Sequence, residues 1–122
     1  MRRMILLLPL ALAFSSADAA AADGDQPTAR QVLQLHEQAD IDIRKMSEIY
    51  LAGMERGLSW ANAYLGNRGQ ARIYCQPNDS ALTISQIIDM IRQTVKDYPG
   101  RGDFPVSFVF ITTLQRTFPC KE

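Results

Sequence analysis

The chain has 122 residues, 47% hydrophobic and 21% charged, which fits one small domain and excludes a multidomain machine. Its 13 basic and 13 acidic side chains balance to a net charge of zero, so it carries no basic footprint for nucleic acid. One histidine and two cysteines do not make a zinc site of ordinary ligand spacing.

Residues 1–22 read as a signal peptide. Arg2 and Arg3 form a positive start, Met4 to Phe14 an apolar run, and small residues around Ala19 to Ala22 suit a signal peptidase. The run is shorter than the roughly 20 apolar residues that a spanning helix needs. No cysteine stands near the cleavage point to take a lipid, and no cationic amphipathic stretch follows. The expectation is export to the periplasm, with no membrane association after cleavage. Cleavage removes Arg2, Arg3 and Asp18, leaving 11 basic and 12 acidic residues, a net of −1.

Residues 23–27 are expected to be a flexible lead-in, and residues 28–122 one helical domain. Thr28 with Gln31 spells a capping box. Apolar residues then recur at steps of three and four, through Val32, Leu35, Ala39, Ile43, Met46, Ile49, Tyr50, Met54, Leu58, Ala61 and Leu65. That spacing predicts a buried helical stripe. One straight helix over residues 28–65 would reach about 57 Å, too long for a domain with a radius of gyration near 13 Å. A break is therefore expected near Asp40-Ile41-Asp42, with Asp40 or Asp42 capping the second helix. Gly53 and Gly57 fall on the same stripe and predict the close approach of another backbone. Gly66 is placed to end the helix in the left-handed conformation. Trp60, Asn62 and Tyr64 read as core-edge packing, with a pocket or partner surface as the alternative.

A loop holds Cys75 and Gln76-Pro77-Asn78-Asp79-Ser80. Thr83 with Gln86 forms a second capping box, and Leu82 with Ile87 its hydrophobic staple. The helix that follows carries Ile84, Ile87, Ile88, Ile91, Val95 and Tyr98 on one face and stops at Pro99-Gly100. Phe104 to Phe118 has strong strand propensity in Val106, Phe108, Val109, Phe110 and Ile111. A lone strand has no partner, so a helix is predicted, with Phe104, Phe108, Ile111, Leu114 and Phe118 on its apolar face. The fold class is all-α: a single-domain bundle of about four helices.

Cys75 and Cys120 are the only cysteines. In an exported chain an even count predicts that they pair, stapling the bundle with one disulfide. That bond removes the thiolate that a Cys-His36 nucleophilic pair would need. Glu37, Asp40 and Asp42 read as a solvated helix end and not as paired catalytic carboxylates. There is no Gly-rich phosphate loop and no Gly-x-Ser-x-Gly elbow. Arg101-Gly102-Asp103 spells an integrin tripeptide, which in a Gly/Pro loop reads as coincidence. No catalytic residue, metal or cofactor is expected. The residues point to binding and not to an enzyme.

Tyr50-Leu51-Ala52-Gly53-Met54-Glu55-Arg56-Gly57 resembles the Tyr-x-x-Gly-x-x-x-Gly helix of the Rap/Tai immunity-protein family. Tyr74-Cys75-Gln76-Pro77, Thr83-Ile84-Ser85-Gln86 with Tyr98-Pro99, and Phe118-Pro119-Cys120 are similar to its later elements, in order. The resemblance spans about residues 45–120. Family members carrying a second cysteine pair near the first helix differ from this chain, which has His36 and Ser47 there. The resemblance implies a periplasmic protein that binds and blocks a peptidoglycan amidase effector delivered by type VI secretion. It also leaves a homodimer open, since some members act as dimers. For the contact surface, the polar loops Gly66–Ala71 and Pro99–Asp103 supply the candidates Asn67, Arg68, Gln70, Arg101 and Asp103. A second hypothesis from another class is a periplasmic helper without a toxin partner, such as an acid-stress chaperone or envelope assembly factor.

Overall fold

Thr28 begins the first helix as its spacing predicts. Its hydroxyl accepts from the Gln31 amide at 3.2 Å, and the Gln31 side chain accepts from the Thr28 amide at 2.8 Å. This capping box starts α1 (Ala29–His36). The computed structural model describes residues 26–77 and 81–121, so the signal peptide expected over residues 1–22 lies outside the described residues. After residues 37–40 the Asp40 carboxylate accepts from the amides of Asp42 at 2.8 Å and Ile43 at 3.2 Å. It thereby caps α2 (Ile41–Asn67). The break near Asp40 is present, and Asp40, not Asp42, is the cap.

The second capping box is formed too. Thr83 and Gln86 exchange bonds of 2.8 and 3.2 Å at the start of α3 (Ile84–Asp97). A 3-10 turn over Pro99–Asp103 leads to α4 (Val106–Thr117). Of the described residues 71% are helical, in four α-helices and a 3-10 turn, with no strand among them. The segment with strand propensity is a helix, as predicted. Its β-branched residues pack inward on α1 and α3, and that tertiary burial overrides local preference.

One core joins the elements. α1 contributes Ala29 and Val32, α2 Leu51, α3 Ile87, Ile88 and Ile91, and α4 Val106, Val109, Phe110 and Leu114. An eight-residue helix such as α1 is marginal alone, and its contacts with α2, α3 and α4 hold it. The Cys75–Cys120 disulfide is formed, with Cα atoms 4.9 Å apart and 45 residues between them in sequence. Beside it the Cys75 amide donates to the Phe118 carbonyl at 2.8 Å.

Four expectations are corrected. The buried positions of α2 are Ser47, Leu51, Glu55 and Asn62, while Met46, Ile49 and Tyr50 of the predicted stripe face solvent. Gly53 and Gly57 lie on that outward side, and a Cβ at either would meet nothing within 4 Å. The left-handed glycine is Gly69, at φ 67°, because α2 runs on to Asn67. Gly66 instead makes room for the Arg72 guanidinium, whose Nε would lie 2.5 Å from a Cβ there. On α4, Phe104 and Phe108 are exposed, and Val106, Val109, Phe110, Thr113 and Leu114 are buried.

The end of the expected lead-in is held in place. Ser107 donates to the Gln26 side chain at 3.0 Å, and the Val106 amide donates to the Pro27 carbonyl at 3.0 Å. A single antiparallel bridge pairs Thr28 with Pro105. These bonds supply the start of α4 with the partners that Pro105, lacking a capping side chain, does not.

Candidate functional site

α3 stops because Tyr98 leaves the helix at φ −134° and Pro99 cannot continue it. The turn that follows is closed by the Arg101 amide on the Tyr98 carbonyl, 2.9 Å, and the Phe104 amide on the Arg101 carbonyl, 3.2 Å. Arg30 reaches across from α1. Its Nε donates to Asp103 at 3.2 Å and its Nη2 to the Pro99 carbonyl at 3.1 Å. Gly102 is buried under that guanidinium, and a Cβ there would lie 2.6 Å from Nη2, so a larger residue would displace Arg30 from this position. The turn is therefore braced at both ends by a helix 69 to 73 residues away in sequence.

Two cations frame Tyr98. The Arg101 guanidinium lies 5.6 Å from the ring centroid and that of Arg116 lies 5.0 Å from it, within cation–π range. Arg101 also donates to Thr112 at 3.1 Å. Arg116 donates to the Thr94 hydroxyl at 3.1 Å, and Thr94 shares a buried 2.8 Å bond with Thr113. These bonds fix both guanidinium groups against the α3–α4 interface. Nearby, the exposed rings of Phe104 and Phe108 stand 5.7 Å apart at 31°. The result is a braced surface of three half-exposed aromatic rings, two oriented arginines and the Asp103 carboxylate. Tyrosine and arginine are enriched among residues that dominate protein interfaces.

Asn67, Arg68 and Gln70 lie elsewhere. Arg68 donates to the Tyr64 hydroxyl at 3.1 Å and stacks 5.5 Å over its ring. The Gln70 amide donates to the Leu65 carbonyl at 2.9 Å. Asn67 borders a polar cleft with Arg56, Trp60, Arg72 and Gln76. Below the cleft, buried Asn62 acts as a clamp and not as a surface group. It donates to the Tyr74 carbonyl at 2.8 Å and accepts from the amides of Ile73 at 2.7 Å and Tyr74 at 3.3 Å. Burial pushes the Tyr74 phenol above its ordinary pKa of 10.0, Glu55 adds to the rise, and a Ser59 hydrogen bond opposes it. Trp60 is 70% exposed and Tyr64 59%, so neither is core-edge packing.

The two candidate loops thus sit on different elements. The Pro99–Asp103 turn packs on α1, α3 and α4, whereas Asn67, Arg68 and Gln70 bond within the end of α2. The reading from sequence missed Tyr98, Phe104, Phe108 and Arg116. The first three look like core residues at helical spacing, and Arg116 comes to Tyr98 only through tertiary packing.

His36 Nδ1 is buried without a hydrogen bond, 3.9 Å from Glu48. Both cysteines are bonded to each other, so neither is a thiolate nucleophile. Among the described residues no group of three or more His, Cys, Asp or Glu side chains could hold a metal ion, and no helix is long and apolar enough to cross a membrane. Comparison with family models, curated proteins and solved structures yields no match.

Proposed function

We propose that this chain is a periplasmic immunity protein that binds and inhibits a peptidoglycan amidase effector delivered by type VI secretion. The observation that carries the proposal is the braced turn: Tyr98 between Arg101 and Arg116, beside the Phe104–Phe108 pair, on a disulfide-stapled scaffold. A plug for an enzyme cleft needs a surface ordered before binding, because ordering it on contact would cost affinity. Arg30 and the two threonine bonds supply that order here. The ordered series from Tyr50 to Cys120 supports the choice of an amidase as partner.

The test is inhibition of purified peptidoglycan amidase effectors of type VI secretion, measured as release of peptide from purified peptidoglycan. Inhibition at near-equimolar protein is expected, with at least a tenfold loss of affinity for Y98A or R101A, as for truncated interface anchors. An amidase that stays fully active in excess protein, and cells that gain no protection when it is sent to their periplasm, would refute the proposal.

A further inference from the structure

One polar cleft plays no part in the proposed function. Arg56, Ser59, Trp60, Ala63 and Asn67 stand on one side of α2 at helical spacing and line it. Arg72, Tyr74 and Gln76, from the segment that follows the helix, close it. The hollow measures about 320 Å³, at the small end of the range for ligand sites. Ala63 falls between Trp60 and Asn67 on that side, and its short side chain leaves room for a ring. The Pro99–Asp103 turn packs on α1, α3 and α4, so the cleft is a separate surface and the inference stands apart from the proposed function.

The wall facing α2 is fixed before any ligand arrives. Asn62 holds Ile73 and Tyr74 by bonds of 2.7 to 3.3 Å, and the disulfide ties down Cys75. The Arg72 guanidinium fills the space that a Cβ on Gly66 would take, so it is packed on the end of the helix. A site ordered in advance loses little affinity to ordering on contact.

The lining selects a class of ligand. Two guanidinium groups border the cleft, and among the described residues that line it there is no carboxylate. Arg72 is engaged elsewhere too, yet a guanidinium carries five N–H donors and serves more than one acceptor. The planar fork of each arginine fits a carboxylate. Glu55, buried and close to the Tyr74 phenol, opposes a second negative charge, so a carboxylate fits better than a phosphate dianion. Trp60 is largely exposed, and its electron-rich face suits the C–H face of a saturated ring. Ser59, Asn67 and Gln76 can each donate and accept hydrogen bonds, as sugar hydroxyls require. We infer that the cleft binds an acidic sugar, a pyranose bearing a carboxylate, with its ring on Trp60 and its carboxylate between Arg56 and Arg72. An aromatic acid would give the amide side chains no partner, and a neutral sugar would give the guanidinium groups none.

Nuclear magnetic resonance titration of the oxidised protein, residues 23–122, with D-glucuronic acid tests it. Trp60 is the only tryptophan, so the indole N–H signal reports on the cleft alone. That signal and the Arg72 Nε–H signal should shift together and saturate, with a dissociation constant on the order of 1 mM for a ligand of that size. D-Glucose, benzoate and inorganic phosphate should each bind about tenfold more weakly or worse. W60A and R56Q alter exposed side chains, so both should keep the wild-type circular dichroism and lose about tenfold in affinity, W60A being read from Arg72. A uronic-acid tetrasaccharide presents the same chemistry. Tighter binding than the monomer assigns the cleft to a polysaccharide, and equal or weaker binding assigns it to the free acid. No shift in tens of millimolar glucuronate, shifts confined to Tyr98 and Arg101, a control ligand that matches glucuronate, or W60A and R56Q both binding like wild type would overturn the inference.

Discussion

Asn62→Ala offers the sharpest structural test. Asn62 holds the segment before Cys75 through three hydrogen bonds of 2.7 to 3.3 Å. Alanine leaves the Tyr74 carbonyl and amide and the Ile73 amide without their partner. Tyr74 is 5% exposed, so water does not replace the bonds there, while Ile73 is only partly buried. Two buried groups at about 1–3 kcal/mol each give an expected loss of about 2–6 kcal/mol. For a domain of this size that lowers the melting temperature by about 10–40 °C. The measurement is a circular dichroism melt with a parallel urea titration at unchanged m-value. Asn62→Asp keeps the acceptor for the two amides and loses the donor, so it should fall between wild type and alanine. A loss below about 0.5 kcal/mol for N62A, the range of an ordinary surface change, would refute the clamp.

The disulfide closes 45 residues around α3, and C120S should cost about 4 kcal/mol on the chain-entropy relation; an unmoved melt would contradict it. T83A removes the acceptor at the head of α3 and should cost about 1 kcal/mol, read by urea denaturation; no change would deny the capping box a role. Tyr74 is neutral in the fold to a higher pH than in the unfolded chain, because its folded pKa is raised. Its contribution is therefore fully present below the unfolded value near 10 and is lost as pH rises through the folded value. Ultraviolet titration should show one phenol ionising late, and Y74F should remove that step; a titration unchanged by Y74F would contradict the assignment.

The two capping boxes and the Asp40 cap were legible because each depends on residues within three positions of one another. The Cys75–Cys120 bond was legible from count and context, and the all-α class from periodicity. The buried side of α2 was not. Periodicity selects the most apolar stripe, yet the core takes polar Ser47, Glu55 and Asn62; Ser47 bonds to the preceding turn and Asn62 to the segment before Cys75. Gly53 and Gly57 point by sequence to a closely packed backbone, yet a Cβ at either meets nothing within 4 Å, because that side of α2 faces outward. At the candidate site Arg101 and Asp103 stood out as loop residues. Tyr98, Phe104 and Phe108 were hidden by their helical spacing, and the Arg116 contact exists only once α3 and α4 pack.

The proposed function requires that the Tyr98–Arg101–Arg116 surface engage an amidase. Calorimetric titration of residues 23–122 into purified type VI amidase effectors measures that directly. Saturable binding is predicted, weakened at least tenfold by Y98A and unchanged by the distant Q70A. No heat of binding to a folded, active amidase, or equal binding by Y98A and wild type, would contradict it.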